Sequence, residues 1–228
     1  MKPTTQLAET TAPDGAVFTL LKHDGQFFLH MNQRQVMSTT LTLSEILLAD
    51  VGCGFAQPPE VPRVLIGGLG LGFSLRRALE LTGSEAEVVV AEILPEIVRW
   101  NREHLEGLND EILNDPRTVV FEGDVYEVIR EAAGKASRFD AILLDVDDGP
   151  SSLLQKGNGR IYDKRGLQTL RAALNPGGRV SIWAAAPEPQ LEQQLRKAGF
   201  RTEEIPCAKH ARARRQDHRI YLAERRDR

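Results

Sequence analysis

The stretch Val64-Leu65-Ile66-Gly67-Gly68-Leu69-Gly70-Leu71-Gly72-Phe73 decides the fold. An apolar run of strand character enters a glycine turn and leaves it as a helical pattern over 75–81. Strand, bare turn and helix N-terminus in that order set unobstructed backbone N–H groups and the positive end of a helix dipole beside a ligand. Gly68, Gly70 and Gly72 do not complete the dinucleotide fingerprint G-x-G-x-x-G, because Phe73 and Leu75 occupy the positions a third glycine would need. The spacing G-x-G-x-G suits a nucleoside sulfonium better than NAD.

Outward from this turn, strand-like runs at 64–66, 88–91, 119–121, 141–144 and 179–184 alternate with helical patterns at 75–81, 96–105, 125–132, 166–174 and 190–198. The alternation predicts an α/β fold, a doubly wound parallel sheet with helices on both faces. The last two strand-like runs, 200–205 and 219–222, have only a polar stretch between them, too short for a helical crossover, so they pair antiparallel. Upstream, the runs 17–21 and 26–30 flank Asp24-Gly25, a strong hairpin signal, and predict a small β-hairpin unit over 1–40. Thr42-Leu43-Ser44-Glu45 reads as a helix start running toward Gly52 and Gly54, and Pro58, Pro59 and Pro62 form a linker, so that 41–62 joins the unit to a main domain over 63–228.

With 228 residues of which 41% are apolar, the chain can bury a substantial core. A net charge of −3 supplies no global positive field, which argues against a nucleic-acid partner or an anionic membrane surface. The first residues lack the apolar core of a signal peptide, and no apolar run approaches spanning length, so a cytoplasmic, membrane-free protein is expected. Cys53 and Cys207, far apart, read as reduced and structural.

In a doubly wound sheet, ligands bind at the carboxyl ends of the strands, and three sets of acids fall there. Glu92 ends the second strand twenty residues after Gly72, where a carboxylate accepts hydrogen bonds from ribose hydroxyls. Asp124 ends the third strand and suits an adenine amino group or, as a plainer role, the N-cap of the following helix; both roles can coexist. Asp145-Val146-Asp147-Asp148-Gly149-Pro150 crowds three carboxylates at the end of a central strand. That crowding suits a base of raised pKa or a cation-attracting cleft, against a Mg²⁺ site or a simple capped turn. Tyr162 stands between an acceptor-pocket role and packing, Trp183 reads as core, and the basic run 209–215 reads as a solvated hairpin tip rather than a phosphate or acidic-partner site.

Over roughly residues 15–225 these motifs resemble the spermidine synthase family of polyamine aminopropyltransferases. The resemblance implies an N-terminal β unit, a methyltransferase-type Rossmann domain with a mostly parallel seven-stranded sheet, and a homodimer. It implies decarboxylated S-adenosylmethionine or S-adenosylmethionine as co-substrate, an amine as acceptor and no metal. Gly68, Gly70 and Gly72 match the family's glycine turn, Glu92-Ile93 with Pro95 its ribose-holding Glu-Ile-Asp-Pro, and Gly123-Asp124 its adenine-reading Gly-Asp. Asp145 and Asp148 match its Asp-x-x-Asp acids, which bind and deprotonate the amine, with Asp147 and Tyr162 beside the acceptor; Glu45 matches the Glu of Tyr-x-Glu-Met. Leu71 stands where the family has the Asp that grips the aminopropyl ammonium, Leu43 where it has a pocket Tyr, and Gly149 where it has Pro. A leucine in place of that Asp forgoes a charge-assisted hydrogen bond of about 1.5 to 3 kcal/mol. These departures motivate two alternatives, an S-adenosylmethionine-dependent methyltransferase and a non-catalytic nucleoside-binding dimer.

Overall fold

The structure, a computed structural model, describes residues 3–55, 59–105, 107–135, 137–154, 156–208 and 216–226. Pro58 of the expected linker and the basic run 209–215 lie outside the described residues.

The chain begins with β1 (Thr5–Thr11), β2 (Val17–His23), β3 (Gln26–Met31) and β4 (Arg34–Ser38), an antiparallel sheet in sequential order. The expected hairpin is its centre, with Asp24 and Gly25 at φ 48° and 79° as a two-residue turn requires. Two further strands extend it. A second tight turn, Asn32-Gln33 at φ 49° and 67°, adds β4. The pairing of β3 with β4 shifts register between Leu29 and His30, which leaves Val36 as an extra residue, a β-bulge.

Helix α1 (Leu43–Cys53) follows, with Thr42 at its N-cap position, although the Thr42 side chain makes no capping bond. The seven-stranded sheet is then laid down by β5 (Arg63–Gly67), α2 (Phe73–Leu81), β6 (Glu87–Glu92), α3 (Pro95–Glu103), α4 (Asp110–Leu113), β7 (Thr118–Glu122), α5 (Val125–Gly134) and β8 (Phe139–Leu144). It is completed by α6 (Gly159–Tyr162), α7 (Lys164–Ala172), β9 (Leu174–Ala184), α8 (Pro189–Lys197), β10 (Phe200–Cys207) and β11 (His218–Arg225). The strand order is β10-β11-β9-β8-β5-β6-β7; β7, β6, β5, β8 and β9 are parallel, and β11 and β10 close the edge antiparallel, as the short polar connection predicts.

Strand alternation divides the core in two. Val64, Ile66, Val88, Val90, Ala141 and Leu143 face α1, α2 and α3, and the N-terminal sheet joins this cluster through Phe18, Leu20, Phe27 and Leu29. Leu65, Val89, Ala91, Ile142 and Leu144 face α5, α7 and α8 on the other side. Strand order reverses between β5 and β8, the point at which ligand crevices open in such sheets. The N-terminal sheet therefore packs on the same core as the helices beside that crevice. Cys53 and Cys207 are both free and buried. No helix among the described residues is long and apolar enough to cross a membrane.

Candidate active site

A cavity of about 420 Å³ opens at the carboxyl ends of β5, β6 and β8, roofed by the N-terminal sheet. The glycine turn forms part of its floor. Gly68 sits at φ +90°, and a Cβ there would lie 2.6 Å from the Asp145 carbonyl oxygen, so only glycine lets the turn approach the Asp145 backbone. The two strands are tied at the same point, where Asp145 N–H donates to the Gly67 carbonyl at 3.1 Å. Gly70, at φ +52°, lies beneath the thioether of Met37, which a Cβ would meet at 2.3 Å.

Glu92 lines the cavity while clamping the turn: one oxygen accepts Leu69 N–H at 2.9 Å and the other accepts Leu94 N–H at 3.0 Å. Burial pushes its pKa up, and the surrounding backbone N–H groups pull in the opposite direction. Asp124 caps α5, accepting Tyr126 N–H at 2.8 Å, and forms an ion pair with Arg160, whose guanidinium lies 4.9 Å over the Tyr126 ring. Its capping role is thus filled, and it still borders the cavity.

Two buried asparagines that the sequence reading passed over fix the outer side of the turn. Asn101 donates to the Gly70 carbonyl and to Ile97 O, both at 2.8 Å, and Asn109 donates to Leu71 O at 2.9 Å and to the Asn101 side-chain oxygen at 2.6 Å. Asn101 sits four residues after Ile97 on the apolar face of α3, a misplaced polar residue that sequence alone could have flagged. Asn109→Ala should cost about 2 kcal/mol, because it strands a buried carbonyl and the Asn101 oxygen, and should weaken nucleoside binding in parallel. Thermal denaturation with and without methylthioadenosine checks this, and an unchanged melting temperature would remove Asn109 from the site.

The three acids of the β8 loop have different partners. Asp147 is turned toward its own loop, accepting Leu154 N–H at 2.7 Å, Asn158 Nδ2 at 3.1 Å and the Tyr162 hydroxyl at 3.4 Å. Asp148 forms an ion pair with Arg34 at the start of β4. Asp145 lines the cavity and takes no hydrogen bond on its side chain among the described residues. Burial first, then the nearby Glu45, Asp148 and Asp147, push its pKa up to about 8. Glu45, buried in the first turn of α1, accepts the Ser44 hydroxyl at 2.7 Å, and burial raises its pKa too. Among the described residues, no group of three His, Cys, Asp or Glu side chains is placed to hold a metal ion.

Three sequence expectations meet a different geometry. Tyr162 does not reach the cavity wall; it packs in the second core with its hydroxyl on Asp147, and burial holds its pKa well above normal. Leu71 is buried in the first core cluster, so the residue in place of the family's Asp belongs to the core. Leu43 is exposed beside Pro206 and Cys207, away from the cavity. Trp183, read as core, packs at the core's edge and also lines the cavity, its ring edge-on to His218 at 4.9 Å.

No family model matches the chain. Polyamine aminopropyltransferase 1 of Hyperthermus butylicus is 35% identical over 122 residues, which cover 53% of this chain and 40% of that protein. Polyamine aminopropyltransferase 1 of Streptomyces coelicolor is 32% identical over 150 residues, covering 62% of this chain and 27% of that protein. The chain thus spans well under half the length of these curated relatives. Among solved structures, spermidine synthase from Thermotoga maritima superimposes with a TM-score of 0.73 at 15% identity, covering 96% of this chain and 72% of that one. A spermidine synthase in complex with the transition state analogue AdoDATO gives 0.72 at 14% identity, with the same coverage. In sequence the chain is similar to polyamine aminopropyltransferases, and in fold to spermidine synthases.

Proposed function

We propose that this protein is a transferase that binds an S-adenosyl sulfonium, decarboxylated S-adenosylmethionine by preference, and moves its aminopropyl group to an amine. One observation carries the reading. The Asp145 carboxylate faces the cavity without a hydrogen bond from the described protein, beside the glycine turn and Glu45, with its pKa near 8. A base of that strength suits an acceptor that arrives as an ammonium and must lose a proton before its nitrogen can attack. In this reading Gly68, Gly70, Glu92 and Asp124 hold the nucleoside and Asp145 takes the proton, whereas Gly72, expected with the other glycines, starts α2 behind the turn against Asn109 and Ile112 and does not line the cavity. The amine lone pair then forms the new C–N bond as the C–S bond breaks toward sulfur, releasing a neutral thioether. The sulfonium is already a good leaving group, so most of the acceleration comes from holding nitrogen in line with that carbon.

The geometry gives Asp147 and Asp148 lesser parts than the sequence reading did. Asp147 holds its loop, and Asp148 is partnered by Arg34. Incubating the protein with decarboxylated S-adenosylmethionine and a panel of mono-, di- and triamines should release methylthioadenosine. If no amine yields it, aminopropyl transfer is excluded. The burial of Leu71 favours one second reading, methyl transfer, because it leaves no turn carboxylate for the aminopropyl ammonium. Tighter calorimetric binding of S-adenosylhomocysteine than of methylthioadenosine would select it.

A further inference from the structure

We propose that the acceptor is a primary monoamine with an apolar body, not a diamine; the inference rests on the transferase reading above and deepens it. A diamine brings two ammonium groups and needs an anionic partner for each. Six carboxylates line the cavity: Glu45, Glu92, Asp124, Asp145, Asp147 and Asp148. Glu92 and Asp124 lie in the nucleoside half, on the backbone of the glycine turn and at the cap of α5. Asp147 is committed to Leu154 and Asn158, and Asp148 to the Arg34 guanidinium. That leaves Glu45 and Asp145, which both line the cavity, to serve the donor's aminopropyl ammonium and the attacking nitrogen of the acceptor together, with no carboxylate left for a second acceptor ammonium.

The rest of the acceptor side adds no further carboxylate and mixes apolar side chains with the neutral polar Gln35, Ser38 and Ser44. All five residues of β4, from Arg34 to Ser38, line the cavity, where a regular strand would present alternate ones; the bulge at Val36 breaks the alternation. The strand passes from the exposed Arg34 to the fully buried Ser38, so Val36 and Met37 lie between mouth and floor. Phe18, Leu29 and Leu41 extend this wall. An ammonium reaching past them would meet Arg34 with Asp148 already neutralised. The Arg34 side chain is 59% exposed, so the pair contributes little to stability, yet a fixed like charge still discriminates against the doubly charged ligand.

The test uses hexylamine and 1,6-diaminohexane, matched in length, titrated calorimetrically into protein saturated with methylthioadenosine. Hexylamine should bind on the order of tenfold more tightly. Arg34→Ala, which frees Asp148, should bring the diamine level with it, and Arg34→Lys should keep the wild-type ratio. The inference is overturned by a diamine that binds equally or better, by binding of neither amine, or by an Arg34→Ala ratio equal to wild type. Tighter binding of 6-aminohexanoate than of hexylamine also overturns it, since Arg34 would then be a carboxylate anchor. Turnover separates the two readings: monoamine preference without methylthioadenosine release removes the transferase reading alone, and fastest release with the diamine removes the monoamine reading alone.

Discussion

Asp145→Asn is expected to lower kcat by about 10²- to 10⁴-fold, the range for removing a positioned general base, while methylthioadenosine affinity changes little. The substitution keeps the shape and removes only the proton-accepting oxygen. Because Asp145 has a pKa of about 8, the wild-type kcat/KM should rise about tenfold per pH unit below that value and level off above it, as expected for a base that must be ionised in the free enzyme. A second readout separates chemistry from folding. The folded state holds this proton more tightly than the unfolded chain, whose aspartates titrate near ~3.9. Its contribution to stability is therefore fully present below about pH 4 and is lost as pH rises through about 8. The variant has no such loss, so its melting temperature should gain on wild type as pH increases from about 4 to 8, by an advantage of roughly 5 kcal/mol in all. A variant that loses activity but shows no pH-dependent gain would mean that the Asp145 side chain is not held in a desolvated cavity.

The second large effect is expected at Gly68. A Cβ there would lie 2.6 Å from the Asp145 carbonyl oxygen, a backbone atom that cannot swing aside, and the residue adopts φ +90°, which L side chains rarely do. Gly68→Ala should destabilise the protein by about 3 kcal/mol or more, equivalent to a fall of roughly 6–12 °C in melting temperature for a domain of this size. The same displacement would move the turn away from Asp145, so nucleoside affinity and activity should fall together. Gly83→Ala provides the control. It sits in a loop with open space around the new methyl group, and it should leave both measurements near wild type. A Gly68→Ala protein with normal stability and nucleoside binding would show that the close approach of turn and loop is dispensable.

The sheet, and the placing of Gly68, Gly70, Glu92 and Asp124 at one cavity, were legible because they rest on local signals. Parallel central strands read as unbroken apolar runs, and the glycine turn is a short-range pattern between a strand and a helix. Glu92 and Asp124 fell into place by counting to strand ends. The acceptor half resisted for a physical reason: its residues meet only through tertiary structure. Arg34 and Asp148 are 114 positions apart, and nothing local to either reveals the pair. Tyr162 read equally well as pocket or core until its hydroxyl was found on Asp147. The first and fourth strands of the first sheet were hidden as well, the fourth because Asn32-Gln33 is a weaker turn signal than Asp24-Gly25 and the bulge at Val36 disrupts the period-two pattern of β4.

The bulged strand has a consequence for how such a site can diversify. The glycine turn, Glu92 and Asp124 form one side of the cavity, whereas one whole wall comes from the five consecutive residues of β4. On the assignment proposed above, donor recognition and acceptor choice are written in separate, non-overlapping stretches of the gene. On that assignment, substitutions within the nine bases that encode Arg34, Gln35 and Val36 retune which amine is admitted while sparing the Met37 contact that holds the turn.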